Sequence, residues 1–288
     1  MTTNLIKHIR FAVVALVCFV AAQGSYAQTS TPQKPGVVSY TYRKYFEKDA
    51  AGALDMIKAA GFTDIEFSSL FGKTAAELKA LADQRGIKCS SFGVSYEDLV
   101  NKTDEVAQNA KTLGASFVRV SDIPHKAAFT EQDAQKGIDN FNRVGKVLKD
   151  KYSLALIYHN HGFEFEPFRN GTLFDFLVEQ TDPDYVNFEM DTLWTFFPGQ
   201  DPVEILDKYA SRFKLMHIKD LKKGVTGNLS GTTSAENSVT LGTGQINIAA
   251  VLKMAKTTAI VHYYLEDESD NVATQVPASL AFLAGLKE

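Results

Sequence analysis

The sequence predicts an α/β fold, a single closed (β/α)8 barrel, and two observations indicate it. Eight short apolar or β-branched runs alternate with segments of helical length, a pattern typical of a parallel sheet covered by helices, because parallel neighbours need crossover connections. Eight is also the number of strands that closes a barrel in a chain of this size. An open, doubly wound sheet shows the same alternation and is the rival arrangement.

The predicted strands follow one another along the whole chain after residue 35. In order they are GVVSY, TDIEF, KCSSFGV, SFVRVSD, LALIYHNH, YVNFEMD, FKLMHIKD and AIVHYYLED. Helices are expected around Ala51–Ala60 and from Thr74 to a stop at Gly86. The stretch Lys222–Gly244 is rich in Gly, Ser and Thr, and we interpret it as a long mobile loop of the kind that often forms a functional lid.

Residues 1–27 are expected to be a secretory signal peptide. Lys7 and Arg10 precede the apolar run FAVVALVCFVAA, and the small residues SYA follow it, which is the order found in such peptides. The apolar run is too short for a permanent membrane span. We therefore expect cleavage near Ala27, an exported, periplasmic protein without a stable membrane anchor, a flexible lead-in at 28–35 and a barrel domain at 36–288.

The charge of the chain argues against a nucleic-acid partner. The full sequence has 30 basic and 34 acidic residues, and without Lys7 and Arg10 the 28 remaining basic residues leave a formal charge of −6. An acidic chain lacks the positive surface that phosphates require. Only Cys89 follows residue 27, so an intramolecular disulfide is excluded. We expect a small-molecule partner, and the sequence leaves a homo-oligomer open.

Polar side chains gather at the predicted C-terminal ends of the strands, which is where barrel enzymes carry their chemistry. They are Glu66 on the second strand; His159, Asn160, His161 and Glu164 at the fifth; Glu189 and Asp191 on the sixth; His217, Lys219 and Asp220 on the seventh; and Glu266, Asp267 and Glu268 on the eighth. Any one of them has a plain alternative as a helix cap or a loop hydrogen bond. Their joint occurrence favours a functional cluster.

Four of these residues, from successive strands, are candidates to bind one divalent metal ion: Glu164, Asp191, His217 and Glu266. Three oxygen donors and one imidazole suit Mn²⁺, Mg²⁺, Co²⁺ or Zn²⁺. Without an ion, three clustered carboxylates would repel one another. Glu189 lies deeper along its strand, and we expect it to support a ligand.

Catalytic and substrate-binding roles are assigned to further residues of the cluster. His159 and His161 lie on one side of their strand, and one of them can act as a proton shuttle, or both only hydrogen-bond to neighbours. Trp194 is expected to form a wall against a sugar, with lid packing as the alternative. Glu66, His159 and Lys219 are expected to contact the substrate, although a solvated or salt-bridged lysine is the more common arrangement.

Five motifs together resemble one family. YHNHGFEF, FEMDTLWTFFPGQDPVEIL, LMHIKD, VTLGTGQINIAAVL and YYLEDE look like the sugar phosphate isomerase/epimerase group of the xylose isomerase-like TIM barrel superfamily. The resemblance implies a TIM barrel that holds one divalent metal ion through two glutamates, an aspartate and a histidine. In this chain they correspond to Glu164, Asp191, His217 and Glu266. In ketose epimerases of this superfamily the first glutamate lies within the fifth strand, where this chain has HNH.

The resemblance also implies chemistry at a carbon next to a carbonyl. Glu164 and Glu266, with His161 able to replace one of them, would remove and return a proton through a metal-stabilised enediolate. The resulting hypothesis is an exported, metal-dependent isomerase or epimerase of a sugar or keto-sugar. A lyase or dehydratase acting on a 3-keto-glycoside or inosose would begin with the same proton abstraction. A non-catalytic carbohydrate-binding barrel is the alternative of another class.

Overall fold

The computed structural model describes residues 34–286, and these form a closed barrel of eight strands in which all neighbouring strands are parallel. The strands are β1 (Gly36–Val38), β2 (Asp64–Phe67), β3 (Lys88–Val94), β4 (Phe117–Val120), β5 (Ala155–His159), β6 (Val186–Asp191), β7 (Phe213–Ile218) and β8 (His262–Leu265). Each pairs with the next along the chain, and β1 pairs with β8. The predicted (β/α)8 TIM barrel is confirmed. The predicted signal peptide and most of the lead-in lie outside the described residues.

Helices surround this barrel and connect its strands. They are α1 (Arg43–Phe46), α2 (Ala50–Ala59), α3 (Ala75–Asp83), α4 (Tyr96–Asn101), α5 (Thr103–Leu113), α6 (Glu131–Tyr152), α7 (Leu173–Gln180), α8 (Thr192–Phe196), α9 (Pro202–Lys208), α10 (Ile248–Ala255) and α11 (Val272–Gly285). One-turn 3-10 helices lie at Ser39–Tyr42, Phe163–Phe165 and Ala235–Asn237. Within residues 34–286, no helix combines the length and the apolar character needed to cross a bilayer.

Local sequence explains where several helices begin and end. Helix α3 starts after Thr74, whose hydroxyl accepts a hydrogen bond from the Glu77 N–H at 3.2 Å while the Glu77 carboxylate accepts one from the Thr74 N–H at 2.7 Å. This reciprocal pair satisfies two N–H groups that a helix start leaves unpaired. Helix α5 ends at Gly114, whose φ of +83° is accessible to glycine without strain.

A small apolar cluster fills the interior of the barrel below the polar residues. Its members are Val38, Ile157, Leu215 and Tyr264, all at most 1% exposed. His159, His217 and Glu266 each lie two residues further along the strand from a member of this cluster, and side chains two apart on a strand share a face. The interior is therefore apolar toward the N-terminal ends of the strands and polar at the C-terminal mouth.

The segment predicted as a long loop is tied to the barrel by one buried carboxylate. Asp220 accepts hydrogen bonds from the backbone N–H groups of Gly242 and Gly244, both at 2.9 Å, and of Ile246 at 3.1 Å. The residue pair Asp220–Leu221 also forms a short antiparallel ladder with Ser238–Val239. Asp220 is thus an anchor for the loop, which accounts for one polar residue at the end of β7.

Two glycines of this loop lie against residues that follow β5 and β6. A Cβ atom on Gly231 would lie 2.9 Å from the Phe163 ring, and one on Gly227 only 1.6 Å from the Phe197 carbonyl oxygen. Side chains at these two positions would push the loop away from the barrel. The loop therefore packs closely at the C-terminal mouth, on the side of β5 and β6.

Candidate active site

Three side chains with metal-binding atoms converge at the C-terminal mouth, one each from β5, β6 and β7. The Oδ2 atom of Asp191 lies 3.8 Å from His159 Nε2 and 4.0 Å from His217 Nδ1. These separations are too long for hydrogen bonds. They suit atoms that bind a common ion, because ligands at roughly 2.1 Å from a metal lie about 3–4 Å apart. Glu266 extends the group, with its Oε2 atom 2.8 Å from His217 Nδ1.

Asp191 carries an unsatisfied oxygen at the centre of this group. Its Oδ1 atom accepts a hydrogen bond from the Trp194 N–H at 2.9 Å, whereas its buried Oδ2 atom has no hydrogen-bond partner among the described residues. Burial raises the pKa of Asp191 to about 6, although the nearby Lys219 ammonium favours its charged form. This oxygen makes no hydrogen bond to any described residue and lies between two imidazoles, with the Lys219 ammonium 3.3 Å away, and such a buried carboxylate oxygen fits a cation-binding position.

Both histidines are held through their other ring nitrogen by a buried carboxylate. His159 Nδ1 lies 3.0 Å from Glu189 Oε2, and His217 Nε2 lies 3.0 Å from Glu66 Oε1. A carboxylate that accepts the N–H of one ring nitrogen fixes the orientation of the ring and presents the other nitrogen to a metal ion. The donor set of this site therefore fits a divalent ion, with His159 Nε2 and His217 Nδ1 as the nitrogen donors.

The electrostatics of the two histidines differ. Burial and the nearby His217 lower the pKa of His159 well below its ordinary value. Burial also opposes the charged form of His217, but Glu189, Glu266 and Glu66 raise its pKa well above the ordinary value. An ion bound at His217 Nδ1 must therefore displace a proton, so that binding of the ion is expected to weaken at low pH.

Glu66 was predicted to contact the substrate, but the structure places it behind His217. Its Oε1 atom accepts hydrogen bonds from Arg119 Nε and His217 Nε2, both at 3.0 Å, and its Oε2 atom accepts one from the Ser91 hydroxyl at 2.6 Å. Burial alone would raise its pKa, but the Arg119 and His217 charges lower the pKa of Glu66 to about 2. With both oxygens bonded inside the protein, Glu66 supports a ligand.

Glu164 was predicted as a metal ligand and a base, and the structure does not bring it to the other ligands. Its Oε1 atom accepts hydrogen bonds from the Tyr158 hydroxyl and the His161 N–H, and its Oε2 atom accepts one from the Gly162 N–H at 2.7 Å. Burial raises the pKa of Glu164 to about 7, against the effect of these donors. Strand β5 ends at His159, and Gly162, with φ of +101°, turns the chain before Glu164. His159 therefore occupies the position at the end of β5 that was assigned to Glu164.

His161 lies beside the metal-binding group with one ring nitrogen free. Its Nδ1 atom lies 2.6 Å from the Ser121 carbonyl oxygen, so this nitrogen carries the proton, and its Nε2 atom makes no hydrogen bond within residues 34–286. Its ring centre is 4.9 Å from that of His159 and 5.9 Å from that of Trp194. Burial and Lys219 lower the pKa of His161 to about 4, which leaves the ring neutral. This arrangement presents a lone pair at the mouth of the barrel.

Lys219 supplies a buried ammonium group on the carboxylate side of the site. Its Nζ atom lies 3.3 Å from Asp191 Oδ2 and 3.4 Å from Glu266 Oε2, and it donates a hydrogen bond to Glu268. It also lies 5.1 Å from the centre of the Trp194 ring. Burial disfavours its charge, but the three carboxylates raise the pKa of Lys219 above its ordinary value. The structure thus places Lys219 and Trp194 together beside the metal-binding group.

Arg119 is a charged residue of this region that the sequence analysis did not single out. It lies on β4, is 7% exposed, and contacts Glu66 and, at 3.8 Å from its Nε atom, Glu189. The sequence signal that could have identified it is the apolar run FVRV, in which strand alternation places Arg119 on the opposite side from the two valines. An arginine inside a barrel strand requires a buried partner.

Comparisons with known proteins find similar sequences among inosose dehydratases. The chain is 27% identical over 186 residues to inosose dehydratase 2 of Bacillus cereus, a match that covers 58% of this chain and 61% of the relative. The inosose dehydratase of Clostridium beijerinckii is 26% identical over 193 residues, 60% of this chain and 64% of the relative. The aligned part thus spans less than two thirds of either relative. Both relatives carry the name of an enzyme.

Solved structures extend the similarity to nearly the whole chain. A sugar phosphate isomerase/epimerase from Parabacteroides distasonis is 28% identical and superposes with a TM-score of 0.71, over 90% of this chain and 98% of that one. The family model described as xylose isomerase-like TIM barrel matches residues 54–286. The resemblance of the five motifs is confirmed, and the chain belongs to the xylose isomerase-like TIM barrel family.

Proposed function

We propose that the protein is a metal-dependent lyase that acts on a keto-sugar or keto-cyclitol, removing a proton from the carbon next to the ketone and expelling an oxygen substituent from the following carbon. The observation that carries this proposal is the Asp191 Oδ2 atom, which makes no hydrogen bond with residues 34–286 and lies between His159 Nε2 and His217 Nδ1. The His161 ring centre is 4.9 Å from that of His159.

Four residues would hold the divalent ion: His159, Asp191, His217 and Glu266. Two imidazoles and two carboxylates favour Mn²⁺, Co²⁺ or Zn²⁺ over Mg²⁺, which prefers oxygen ligands alone. When bound, such an ion supplies Lewis acidity that acidifies the C–H bond next to a ketone. The other chemical roles fall to side chains of this chain.

His161 is the base of the proposed reaction. The Ser121 carbonyl holds its Nδ1–H group at 2.6 Å and fixes the ring, so that the Nε2 lone pair can accept the proton from the substrate carbon. Glu164 cannot share this role, because its oxygens are occupied by the Tyr158 hydroxyl and two backbone N–H groups. A base at His161 supports elimination, which needs one proton removal from carbon.

Lys219 is the acid of the proposed reaction. As the C–H electron pair forms the new carbon–carbon double bond, the carbon–oxygen bond one carbon further on breaks, and the departing oxygen takes a proton from Lys219 Nζ. The products are an unsaturated ketone and water, or an alcohol if the substituent is a glycoside. Solvent carries the proton from His161 back to Lys219, so no oxidant or reductant is required. The contact between Lys219 and Glu268 supports the positioning of this ammonium group.

Epimerisation is the second candidate, and one observation favours it. Glu266, named above among the four ligands, could instead use its Oε2 atom to return a proton to the other face of the substrate carbon. The 28% identical structure from Parabacteroides distasonis carries the name sugar phosphate isomerase/epimerase, whereas the inosose dehydratase relatives support elimination. Trp194 supports a sugar or cyclitol ring as the substrate, because an aromatic face packs against C–H groups.

Export is also part of the proposal. The basic, apolar and small-residue order of residues 1–27 supports a periplasmic enzyme that meets unphosphorylated substrates.

The deciding experiment is an incubation of the Co²⁺- or Mn²⁺-loaded protein with an inosose and with a 3-keto-glucoside in D₂O, followed by NMR. Loss of water or of the aglycone, with formation of an unsaturated ketone, is the expected result. Deuterium at the carbon next to the ketone without elimination would indicate epimerisation. Substrate binding without exchange or elimination would overturn both and favour a carbohydrate-binding barrel.

A further inference from the structure

We propose that Arg119 is the positioning residue that holds both histidine ligands in their metal-binding orientation, acting through Glu66 and Glu189. This inference rests on the metal site of the proposed function. Arg119 Nε lies 3.0 Å from Glu66 Oε1 and 3.8 Å from Glu189 Oε2. One guanidinium therefore contacts the two carboxylates on which the orientation of the site depends.

The oxygens that face Arg119 are the same oxygens that hold the histidines. Glu66 Oε1 contacts His217 Nε2 at 3.0 Å, and Glu189 Oε2 contacts His159 Nδ1 at 3.0 Å. Glu189 Oε2 also lies 3.3 Å from His217 Nε2, so both carboxylates approach the same edge of that ring. A movement of either carboxylate would turn a ligand imidazole.

The two carboxylates need a cation between them. Glu66 and Glu189 are both fully buried. Burial and the Glu66 charge raise the pKa of Glu189 well above its ordinary value, and the Arg119 charge acts against this shift. A planar guanidinium can pair with two carboxylates at once, which a compact ammonium does less well. Arg119 therefore permits both carboxylates to stay against the rings.

Strand β3 leaves room for the guanidinium. Gly93 pairs with Arg119 in the β3–β4 ladder, and a Cβ atom on Gly93 would lie 2.7 Å from Arg119 Nη2 and 3.0 Å from its Cζ atom. Any side chain at this position would displace the guanidinium from the two carboxylates. The glycine thus belongs to the same arrangement.

Two groups of side chains in this region could each hold a metal ion, and their hydrogen bonds distinguish them. Glu66, Glu189 and His217 have potential ligand atoms within 4.8 Å of one another, as do His159, Asp191 and His217. In the first group both Glu66 oxygens already accept hydrogen bonds, from Arg119, His217 and Ser91. In the second group the Asp191 Oδ2 atom accepts none among the described residues, although the Lys219 ammonium lies 3.3 Å away. We therefore assign the first group to support and the second group to the metal ion.

The test measures Co²⁺ affinity by competition with a chelator, together with the visible absorption spectrum of bound Co²⁺, which reports coordination geometry. We expect Arg119→Met to weaken Co²⁺ binding by about 10- to 100-fold and to change the spectrum, as loss of a residue that supports metal ligands does. Arg119→Lys, which keeps the charge, should also weaken binding. A purely electrostatic role predicts the opposite sign, because removing a positive charge strengthens the attraction for a cation.

Arg212→Met is the matched control, since Arg212 is a partly buried arginine that donates to the Thr181 hydroxyl and to backbone carbonyls such as Val186. It should keep wild-type Co²⁺ affinity. Gly93→Ala tests the same inference without removing the arginine, and it should weaken Co²⁺ binding. If Arg119→Met folds and binds Co²⁺ with wild-type affinity and spectrum, or more tightly, the inference about Arg119 is overturned, while the metal site itself still stands. If Arg119→Met does not fold, wild-type behaviour of Gly93→Ala and Arg119→Lys overturns it, and a wild-type protein that binds no Co²⁺ overturns the metal site as well.

Discussion

The two halves of the barrel contribute different kinds of polar residue to one site. Strands β5 to β8 and the residues that follow them supply the side chains with atoms directed at the proposed ion: His159, Asp191, His217 and Glu266. Strands β2 to β4 supply Glu66, Ser91 and Arg119, which bond to one another and to His217. The residues from β2 to β4 thus hold His217 in place, and the half that supplies the proposed ligands also supplies Glu189, which holds His159.

The hydrogen bonds of Glu66 and Asp191 show most directly how the two halves of the barrel differ. Both oxygens of Glu66 accept hydrogen bonds, whereas the buried Asp191 Oδ2 atom accepts none within the described chain. Asp191 Oδ2 is therefore available to an external partner, whereas the Glu66 oxygens are not. Glu189 is intermediate, because its Oε2 atom contacts His159 Nδ1 while its buried Oε1 atom has no hydrogen bond in the part of the chain that the structure describes. Variants in the two halves should therefore differ in how strongly they change Co²⁺ affinity, the rate of substrate proton exchange and the stability of the fold.

The largest effect is expected for Asp191→Asn, which removes a charged ligand from the binding half. Co²⁺ affinity should fall by more than the roughly 10- to 100-fold that loss of a supporting residue causes. The amide oxygen can still accept the hydrogen bond from the Trp194 N–H, so the fold should persist. Calorimetric titration with Co²⁺ measures the effect. Asp175→Asn, the same change at the start of α7, is the control and should keep wild-type Co²⁺ affinity. If Asp191→Asn also kept full affinity, the proposed metal site would be contradicted.

His161→Gln separates catalysis from metal binding within the same half. The rate of substrate proton exchange should fall by about 10²- to 10⁴-fold, because a general base contributes a factor of that size. Co²⁺ affinity should not change, since His161 Nδ1 bonds to the Ser121 carbonyl and the residue is not a ligand. His125→Gln is the control, as His125 also has Nδ1 near a carbonyl oxygen, that of Ile123 at 2.8 Å. Loss of metal from His161→Gln would move it into the ligand set.

Glu164→Gln tests whether Glu164 belongs to either half of the site. Co²⁺ affinity should remain at the wild-type level, and lost affinity would restore Glu164 as a ligand. The stability effect has a definite sign, because burial raises the pKa of Glu164 to about 7 in the folded protein.

Between pH 4.5 and 7 the unfolded chain releases this proton while the folded protein retains it. The free energy of unfolding of the wild type should therefore fall with rising pH, relative to Glu164→Gln, by up to about 3 kcal/mol. Urea denaturation at pH 4.5, 5.5, 6.5 and 7.5 would measure the free energy of unfolding of both proteins. If the wild type became more stable relative to Glu164→Gln as the pH rises, the buried carboxyl group with a raised pKa would be contradicted.

The smallest effect is expected for Ser91→Ala in the supporting half. It removes the hydroxyl that donates to Glu66 Oε2 at 2.6 Å, and loss of such a bond to a charged group costs about 1–3 kcal/mol of stability. Co²⁺ affinity should fall only a few-fold, because Arg119 still holds Glu66. Ser90→Ala, which breaks the neighbouring bond to the Tyr264 hydroxyl at 2.6 Å, is the control and should leave Co²⁺ affinity unchanged. Equal affinities in the two variants would remove Ser91 from the support.

Much of the architecture could be predicted from local pattern. Alternation along the strands and their number predict the barrel, and the Thr74 and Glu77 pair predicts the start of α3. Asp191, His217 and Glu266 could be placed in one cluster because the C-terminal ends of parallel strands meet at the same edge. These predictions need only the spacing of residues within a strand or helix, which the sequence shows directly.

The choice between His159 and Glu164 could not be made in this way. Both lie in YHNHGFEF, and the backbone turn at Gly162 alone decides which one faces the other ligands. Arg119 and Glu66 are 53 residues apart, and Glu66 and His217 are 151 apart. Residue spacing along the sequence predicts only the strand, and the face of that strand, on which each of these side chains lies. Their pairing arises only when the barrel closes and burial forces each charge to find a partner across it.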